Sequence, residues 1–243
     1  MSLILAAAVL AGCSAPDCSF PVEEFKTAEG GKLHITMVSH GSLALSYKGY
    51  EIQVDPVGDN HGQMTDYSCF PKADLILVTH EHGDHLDSSL IGELSKEGTE
   101  IICNEASLEK IPGAVVMHNG EERTVGKGIT VRAVPAYNTS EGHTKFHPEG
   151  HGNGYILTVG GLQVYIAGDT EDIPEMSELN GIDIAFLPVN QPYTMTVEQC
   201  IRAAGMISPV VLIPYHLGDT DMQAIKDGLA GSGIDVRLFE TLR

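Results

Sequence analysis

The run Asp74-Leu-Ile-Leu-Val78, continued by Thr79-His-Glu-His-Gly-Asp-His85, decides how this chain is read. The apolar part has the length and branched side chains of a buried strand, so the polar part falls on a loop at the strand's C-terminal end. Within positions 80 to 85 that loop carries His80, His82, Asp84 and His85. Buried imidazoles and carboxylates each need a hydrogen-bonding partner, and four of them crowded at one strand mouth are hard to satisfy separately. A divalent cation satisfies them together. With only 11 histidines among 243 residues, such density is not a compositional accident.

Imidazole nitrogen and carboxylate oxygen are donors for zinc, iron or manganese, and no cysteine lies close enough to suggest a closed structural zinc site. An open, catalytic site is expected. His80 and His82 alternate, so both rings can reach one ion, while Asp84 and His85, beyond the flexible Gly83, turn toward a second. The cofactor expected is therefore two divalent ions, zinc first, with iron or manganese as alternatives.

Two other apolar runs end in the same way. Val164-Tyr-Ile-Ala-Gly-Asp-Thr170 puts Asp169 at a strand end after a glycine, and Val211-Leu-Ile-Pro-Tyr-His216 does so for His216. An isolated aspartate there would usually form a turn. Repetition of the pattern makes Asp169 a carboxylate bridging two metals. Around these sites the periodicity predicts strands at 33–38, 43–47, 51–54, 75–79, 100–103, 129–134, 155–159, 162–166, 183–187, 209–213 and 235–238. Helices are expected at 86–95 with an Asp87 cap, at 196–206 behind the capping box Thr196-Val-Glu-Gln199, and at 221–230. Two groups of strands with interspersed helices predict an α/β chain, two sheets face to face with helices outside.

Composition narrows the function. Lys+Arg 14 against Asp+Glu 33 gives a formal charge of -19, which repels phosphate backbones. Without tryptophan and with 6% aromatic residues, the chain offers no stacking platform for single strands, so no nucleic-acid partner is expected. The expected partner is a small-molecule substrate. At the amino terminus a nine-residue apolar run, 3–11, is too short to span a bilayer but fits a secretory signal. Leu10-Ala-Gly-Cys13 resembles a bacterial lipobox, although only Met1 and Ser2 precede the run, without a positive charge. Residues 1–19 are thus expected to be a lipoprotein signal and tether, anchored to a membrane through Cys13 in the cell envelope, with 20–243 as the functional domain; without a working signal the chain would stay in the cytoplasm. The other cysteines, Cys18, Cys69, Cys103 and Cys200, are scattered and predict no disulfide framework, with Cys103 and Cys200 as buried thiols.

Asp55 in Ile52-Gln-Val-Asp-Pro56, His80-Glu-His-Gly-Asp-His85, Gly168-Asp-Thr170 and Pro214-Tyr-His216 together resemble the metallo-β-lactamase superfamily, over essentially residues 33–240. That resemblance implies an αββα four-layer sandwich of two mixed β-sheets with a dinuclear site on its edge. It implies that His80 and His82 bind the first metal, that Asp84, His85 and His216 bind the second, that Asp169 binds both, and that Asp55 orients the loop behind them. The His40-Gly-Ser42 triplet and Gly168-Asp-Thr170 look most like the broad branch holding a sugar-phosphate lactonase and an N-acyl-phosphatidylethanolamine phospholipase. Many β-lactamases have cysteine where Asp169 stands, so a carboxylate bridge fits lactonases and phosphodiesterases better.

One departure concerns the third histidine of the first metal. The equivalent stretch, Val134-Pro-Ala-Tyr-Asn138, ends in asparagine, and a substitute must come from the loop that follows. His147 is preferred because Phe146 and Pro148 can stiffen its backbone, with His151 next and His143 last. Tyr137, Tyr193 and Tyr215 flank ligand positions and are read as packing before polarising groups; His34, His61 and His118 carry no signal. The expected activity is hydrolysis of an ester, lactone, amide or phosphodiester by a metal-bridging hydroxide, with Asp84 holding the water and passing its proton on. The alternative, motivated by Asn138, is an envelope-anchored metal-binding protein with a degenerate, non-catalytic site.

Overall fold

A computed structural model describes residues 19–243, so the expected signal and tether at 1–19, Cys13 included, lies outside the described residues apart from Ser19. The first sheet contains β1 (Val22–Lys26), β2 (Lys32–Ser39), β3 (Ser42–Tyr47) and β4 (Tyr50–Val54). After a small hairpin of β5 (Asp59–Asn60) and β6 (Gln63–Met64), the chain re-enters that sheet as β7 (Leu75–Leu77), β8 (Glu100–Cys103) and β9 (Val115–Val116). The second sheet is built in chain order from β10 (Glu122–Thr124), β11 (Thr130–Ala136), β12 (Gly152–Val159), β13 (Leu162–Ile166), β14 (Ile184–Pro188), β15 (Val211–Tyr215) and β16 (Asp235–Val236). Each sheet is half antiparallel meander and half parallel: the direction changes at β4–β7 in one and at β13–β14 in the other.

Side-chain alternation explains the layering. Leu75 and Leu77 of β7 point into the main core against the second sheet, while Ile76 and Val78 point the other way, onto Leu90, Ile91 and Leu94 of α1 (Ser88–Leu94). A strand covered on both faces has no polar side, which is why residues 75–78 read as a continuous apolar run. On the far side α2 (Val197–Ile207) and α3 (Met222–Gly228) bring Ala203, Ile207 and Ile225 to the second sheet. The result is the expected αββα sandwich. Its helix starts are those expected too: the Asp87 carboxylate accepts the Ser89 and Leu90 N–H groups, and Thr196 and Gln199 form a reciprocal capping box.

The differences are local. β1 is an edge strand whose residues alternate between exposed and half-buried, and β5, β6, β9 and β10 have two or three residues each, too few to show a period. The strand expected at 75–79 ends at Leu77, because the Thr79 N–H turns to the Asp55 carboxylate instead of a neighbouring strand. The cysteine reading also needs correction: Cys69 is disulfide-bonded, whereas Cys103 and Cys200 are free and buried as expected. Among the described residues no helix is long and apolar enough to cross a membrane.

Candidate metal centre

The C-terminal ends of parallel strands from both sheets meet along one edge of the sandwich, and the expected donors all arrive there. Asp55 follows β4, His80 to His85 follow β7, Asp169 follows β13 and His216 follows β15. The chain reverses sharply at these ends: Asp55 (φ 44) and His216 (φ 51) adopt left-handed backbone, as does His40 (φ 49) in the β2–β3 turn. Gly168 (φ +65) is needed for a second reason, since a Cβ there would lie 2.7 Å from the Asn153 carbonyl oxygen and 3.2 Å from Thr79 Cβ. Only glycine lets the Asp169 strand end approach the histidine loop this closely.

Two groups of donors result. In the first, His82 Nδ1 lies 3.0 Å from His80 Nε2 and 3.2 Å from His147 Nε2. In the second, Asp84 Oδ2 lies 3.4 Å from His216 Nε2 and 3.9 Å from His85 Nε2. Asp169 sits between them, with Oδ2 at 3.3 Å from both His147 Nε2 and His216 Nε2, and Oδ1 at 3.3 Å from His85 Nε2. Donors held about 2.0–2.2 Å from one ion stand roughly 3–3.5 Å apart. Most of these spacings match that edge length.

Satisfaction of the buried atoms gives the sharper test. His85 Nε2, His216 Nε2 and Asp169 Oδ1 are fully buried and have no hydrogen-bond partner among the described residues. His85 Nε2 and Asp169 Oδ1 are within ion-pair distance but not aligned to bond each other, as expected of atoms aimed at a common cation. Leaving such groups unpaired costs about 1–3 kcal/mol each. The donor set fits a divalent metal.

Outer contacts hold the rings in ligand orientation. The fully buried Asp55 carboxylate accepts the Thr79 N–H at 2.8 Å and the Thr79 hydroxyl at 2.7 Å, and pairs with His85 Nδ1 at 2.8 Å. A proton on Nδ1 directs the Nε2 lone pair of His85 inward. His147 Nδ1 likewise donates to the Tyr193 carbonyl at 3.0 Å. Burial, with His85 nearby, holds the His80 imidazole well below its usual pKa and so neutral. Burial alone would raise Asp169, but His216 and His85 outweigh it and keep the carboxyl ionised.

Asn138 takes a role that its position did not advertise. Its N–H donates to the His147 carbonyl at 2.8 Å, and its side-chain amide donates to the Tyr193 carbonyl at 2.7 Å, the same oxygen that fixes the His147 ring. The residue at the position where a third histidine is expected thus fixes the His147 ring beside His80 and His82. His143 and His151 are turned elsewhere, to Glu171 at 3.2 Å and Glu81 at 2.7 Å. The Tyr137 hydroxyl donates to Glu175, and that of Tyr215 is buried among strands.

A cleft of about 420 Å³ opens onto the donors, lined also by His40, Asn60, His61, Phe146, Asn190 and Tyr193. Tyr193, 46% exposed, meets Phe146 edge to face with ring centroids 5.0 Å apart. His61, which carried no sequence signal, is therefore a cleft residue, whereas His34 and His118 pair with Glu24 and Glu105 at the surface. His61, Asn60 and Asn190 went unseen because they sit in a short hairpin and a turn with no recurring pattern. In the sequence His40 stands only in the His40-Gly-Ser42 triplet, with no donor pattern around it.

Two mixed sheets flanked by helices, with a histidine- and aspartate-lined centre at the strand ends, define a metallo-β-lactamase-fold hydrolase. The chain belongs to the β-lactamase superfamily, whose domain model matches residues 34–216, and it is a metal-dependent hydrolase. It is 33% identical to a UPF0173 metal-dependent hydrolase of Pyrococcus abyssi over 68% of this chain and 76% of that one. A crystal structure of a candidate metal-dependent hydrolase from Parabacteroides distasonis superposes with a TM-score of 0.87 at 56% identity, covering 91% of this chain and 99% of the other. The metallo hydrolase Igni18 of Ignicoccus hospitalis gives a TM-score of 0.72 at 25% identity, covering 87% and 96%.

Proposed function

We propose that the centre holds two divalent ions and that the chain hydrolyses an ester, lactone or amide bond in a small neutral substrate. The observation that carries the two-ion reading is the placement of Asp169, whose carboxylate lies 3.3 Å from donors of both groups. Bound ions of this kind supply a nucleophilic water at neutral pH and polarise the bond under attack. His80, His82 and His147 would hold one, and Asp84, His85 and His216 the other, with zinc the first candidate and iron or manganese next.

Asp84 is the donor best placed to move a proton. Both Asp84 and Asp169 line the cleft, but the Asp84 side chain is 24% exposed whereas Asp169 is buried, so an attacking water's proton can pass to Asp84 and on to solvent. The cleft supports a neutral substrate. Among the described residues no lysine or arginine lines it; Phe146 and Tyr193 offer an apolar wall, and the Asn60 and Asn190 amides offer uncharged hydrogen-bonding groups. A phosphodiester would find no side-chain cation there and would meet the acidic surface first.

The disulfide at Cys69 supports export to an oxidising compartment, and so the reading of the chain as an envelope lipoprotein anchored at Cys13. Metal analysis of protein purified without chelator, beside a His82→Ala variant, tests the centre. Two ions per chain, reduced in the variant, support it; one ion in the unaltered protein refutes the dinuclear reading. Faster cleavage of an aryl ester or lactone than of a bis-aryl phosphodiester supports the substrate class, and the reverse order refutes it.

A further inference from the structure

The β2–β3 turn brings one more imidazole to the centre. His40 is held at both of its peptide groups: its N–H donates to the Thr241 carbonyl at 3.2 Å, and its carbonyl accepts the His216 N–H at 3.1 Å. Its neighbour Gly41 packs against the His85 ring, where a Cβ would come within 2.7 Å of His85 Cε1. This backbone, left-handed at His40 itself, is an uncommon conformation for a residue with a side chain and persists where the surroundings fix it.

The ring it delivers is nearly buried. The His40 side chain is 11% exposed, its ring centroid is 3.8 Å from that of His216, and its Nε2 is 3.4 Å from Asp84 Oδ2. His216 Nε2 lies at the same 3.4 Å from that oxygen, so His40 and His216 flank Asp84 alike. One ligand atom from each of His40, Asp84 and His216 lies within 4.8 Å of the others, as do those of His80, His82 and His147. In addition His216 Nε2 has no hydrogen-bond partner among the described residues, so the group includes a buried donor still to be satisfied.

We propose that His40 is a ligand of the second ion, an inference that rests on the dinuclear reading above. The second ion then has the protein donors His40, Asp84, His85, His216 and Asp169, while the first has His80, His82, His147 and Asp169. A five-donor set with one place left for water suits a six-coordinate ion such as manganese or iron, whereas the four-donor set suits zinc. The two ions are unlike, and His40 is the residue that makes them so.

The test uses the cobalt-loaded protein, in which protons of metal-bound imidazoles give strongly shifted NMR signals. His40→Asn is the variant of choice because asparagine tolerates left-handed backbone. The expected result is that the unaltered protein binds two ions and that His40→Asn loses one set of shifted imidazole signals and at least about tenfold in affinity for one ion. His61→Ala, which removes a cleft imidazole outside the donor groups, should change neither. Two ions with every shifted imidazole signal retained in His40→Asn would overturn the proposal, even if affinity fell, because His40 would then act only through Asp84. A single ion in the unaltered protein would overturn the dinuclear reading and this inference with it. Should His40→Asn fail to fold, a crystal structure of the metal-loaded unaltered protein decides: His40 Nε2 about 2.0–2.2 Å from an ion supports ligation, and beyond about 3 Å overturns it.

Discussion

The first sheet delivers four expected donors from one short loop after β7, whereas the second sheet delivers His147, Asp169 and His216 singly, from three separated places. Donors on one loop are kept together by chain connectivity. Separated donors depend on the register of β12, β13 and β15 and on contacts such as Asn138 to Tyr193. The first sheet therefore defines where the centre is, and the second decides whether it is complete.

The largest effect should come from the one residue that serves both donor groups. On the proposed dinuclear reading, Asp169→Ala is expected to release both ions and lower kcat/KM by more than the ~10–100-fold typical of a change behind the ligands. Elemental analysis and hydrolysis of a neutral ester will show whether this is so; retention of both ions would mean that the first sheet suffices. Next is Asp55→Ala, which strips a buried carboxylate from Thr79 and His85. Breaking that buried pair should cost about 3 kcal/mol in urea unfolding and weaken metal binding about tenfold or more.

Asn138→Ala sharpens the contrast in the second sheet. Loss of the side-chain hydrogen bond should cost about 1 kcal/mol and loosen His147, seen as weaker binding in a metal titration. His143→Ala and His151→Ala should leave that titration unchanged and shift stability by no more than about 0.5 kcal/mol.

A further effect is pH-dependent and concerns the same loop. Burial alone would raise the Glu171 carboxyl, but hydrogen bonds from the Ser140 and Thr139 N–H groups outweigh it and hold its pKa at about 2, against an ordinary 4.5. A depressed carboxylate stabilises fully above its unfolded value and loses that contribution as pH falls toward the folded one. Urea midpoints of the unaltered protein and Glu171→Gln should thus differ most near neutrality and converge between pH 4.5 and about 2. A constant gap would show that charge is not what Glu171 contributes.

Legibility in the sequence follows the same division. Residues 74–85 displayed both strand and donors because a doubly covered strand is apolar throughout and its loop is dense in ligands. Asp169 and His216 were readable because each ends a similar run, and His147 because its flanking Phe146 and Pro148 set it apart from His143 and His151. Asn138 and Tyr193 were not readable in their actual roles, since one works through its amide and the other through a backbone carbonyl, which any residue possesses. His40 was invisible as a donor for a related reason: what brings it to Asp84 is a turn pinned by Thr241 and His216, contacts across most of the chain.

Because the donors come from both sheets, a bound metal pair would act as a rivet across the sandwich. Unfolding would then have to open the rivet, and an ion present at about 100 times its dissociation constant adds about 2.7 kcal/mol to stability. Melting temperature thereby becomes a gauge of occupancy: a series of candidate ions, each added after chelator, can be ranked before any substrate is known.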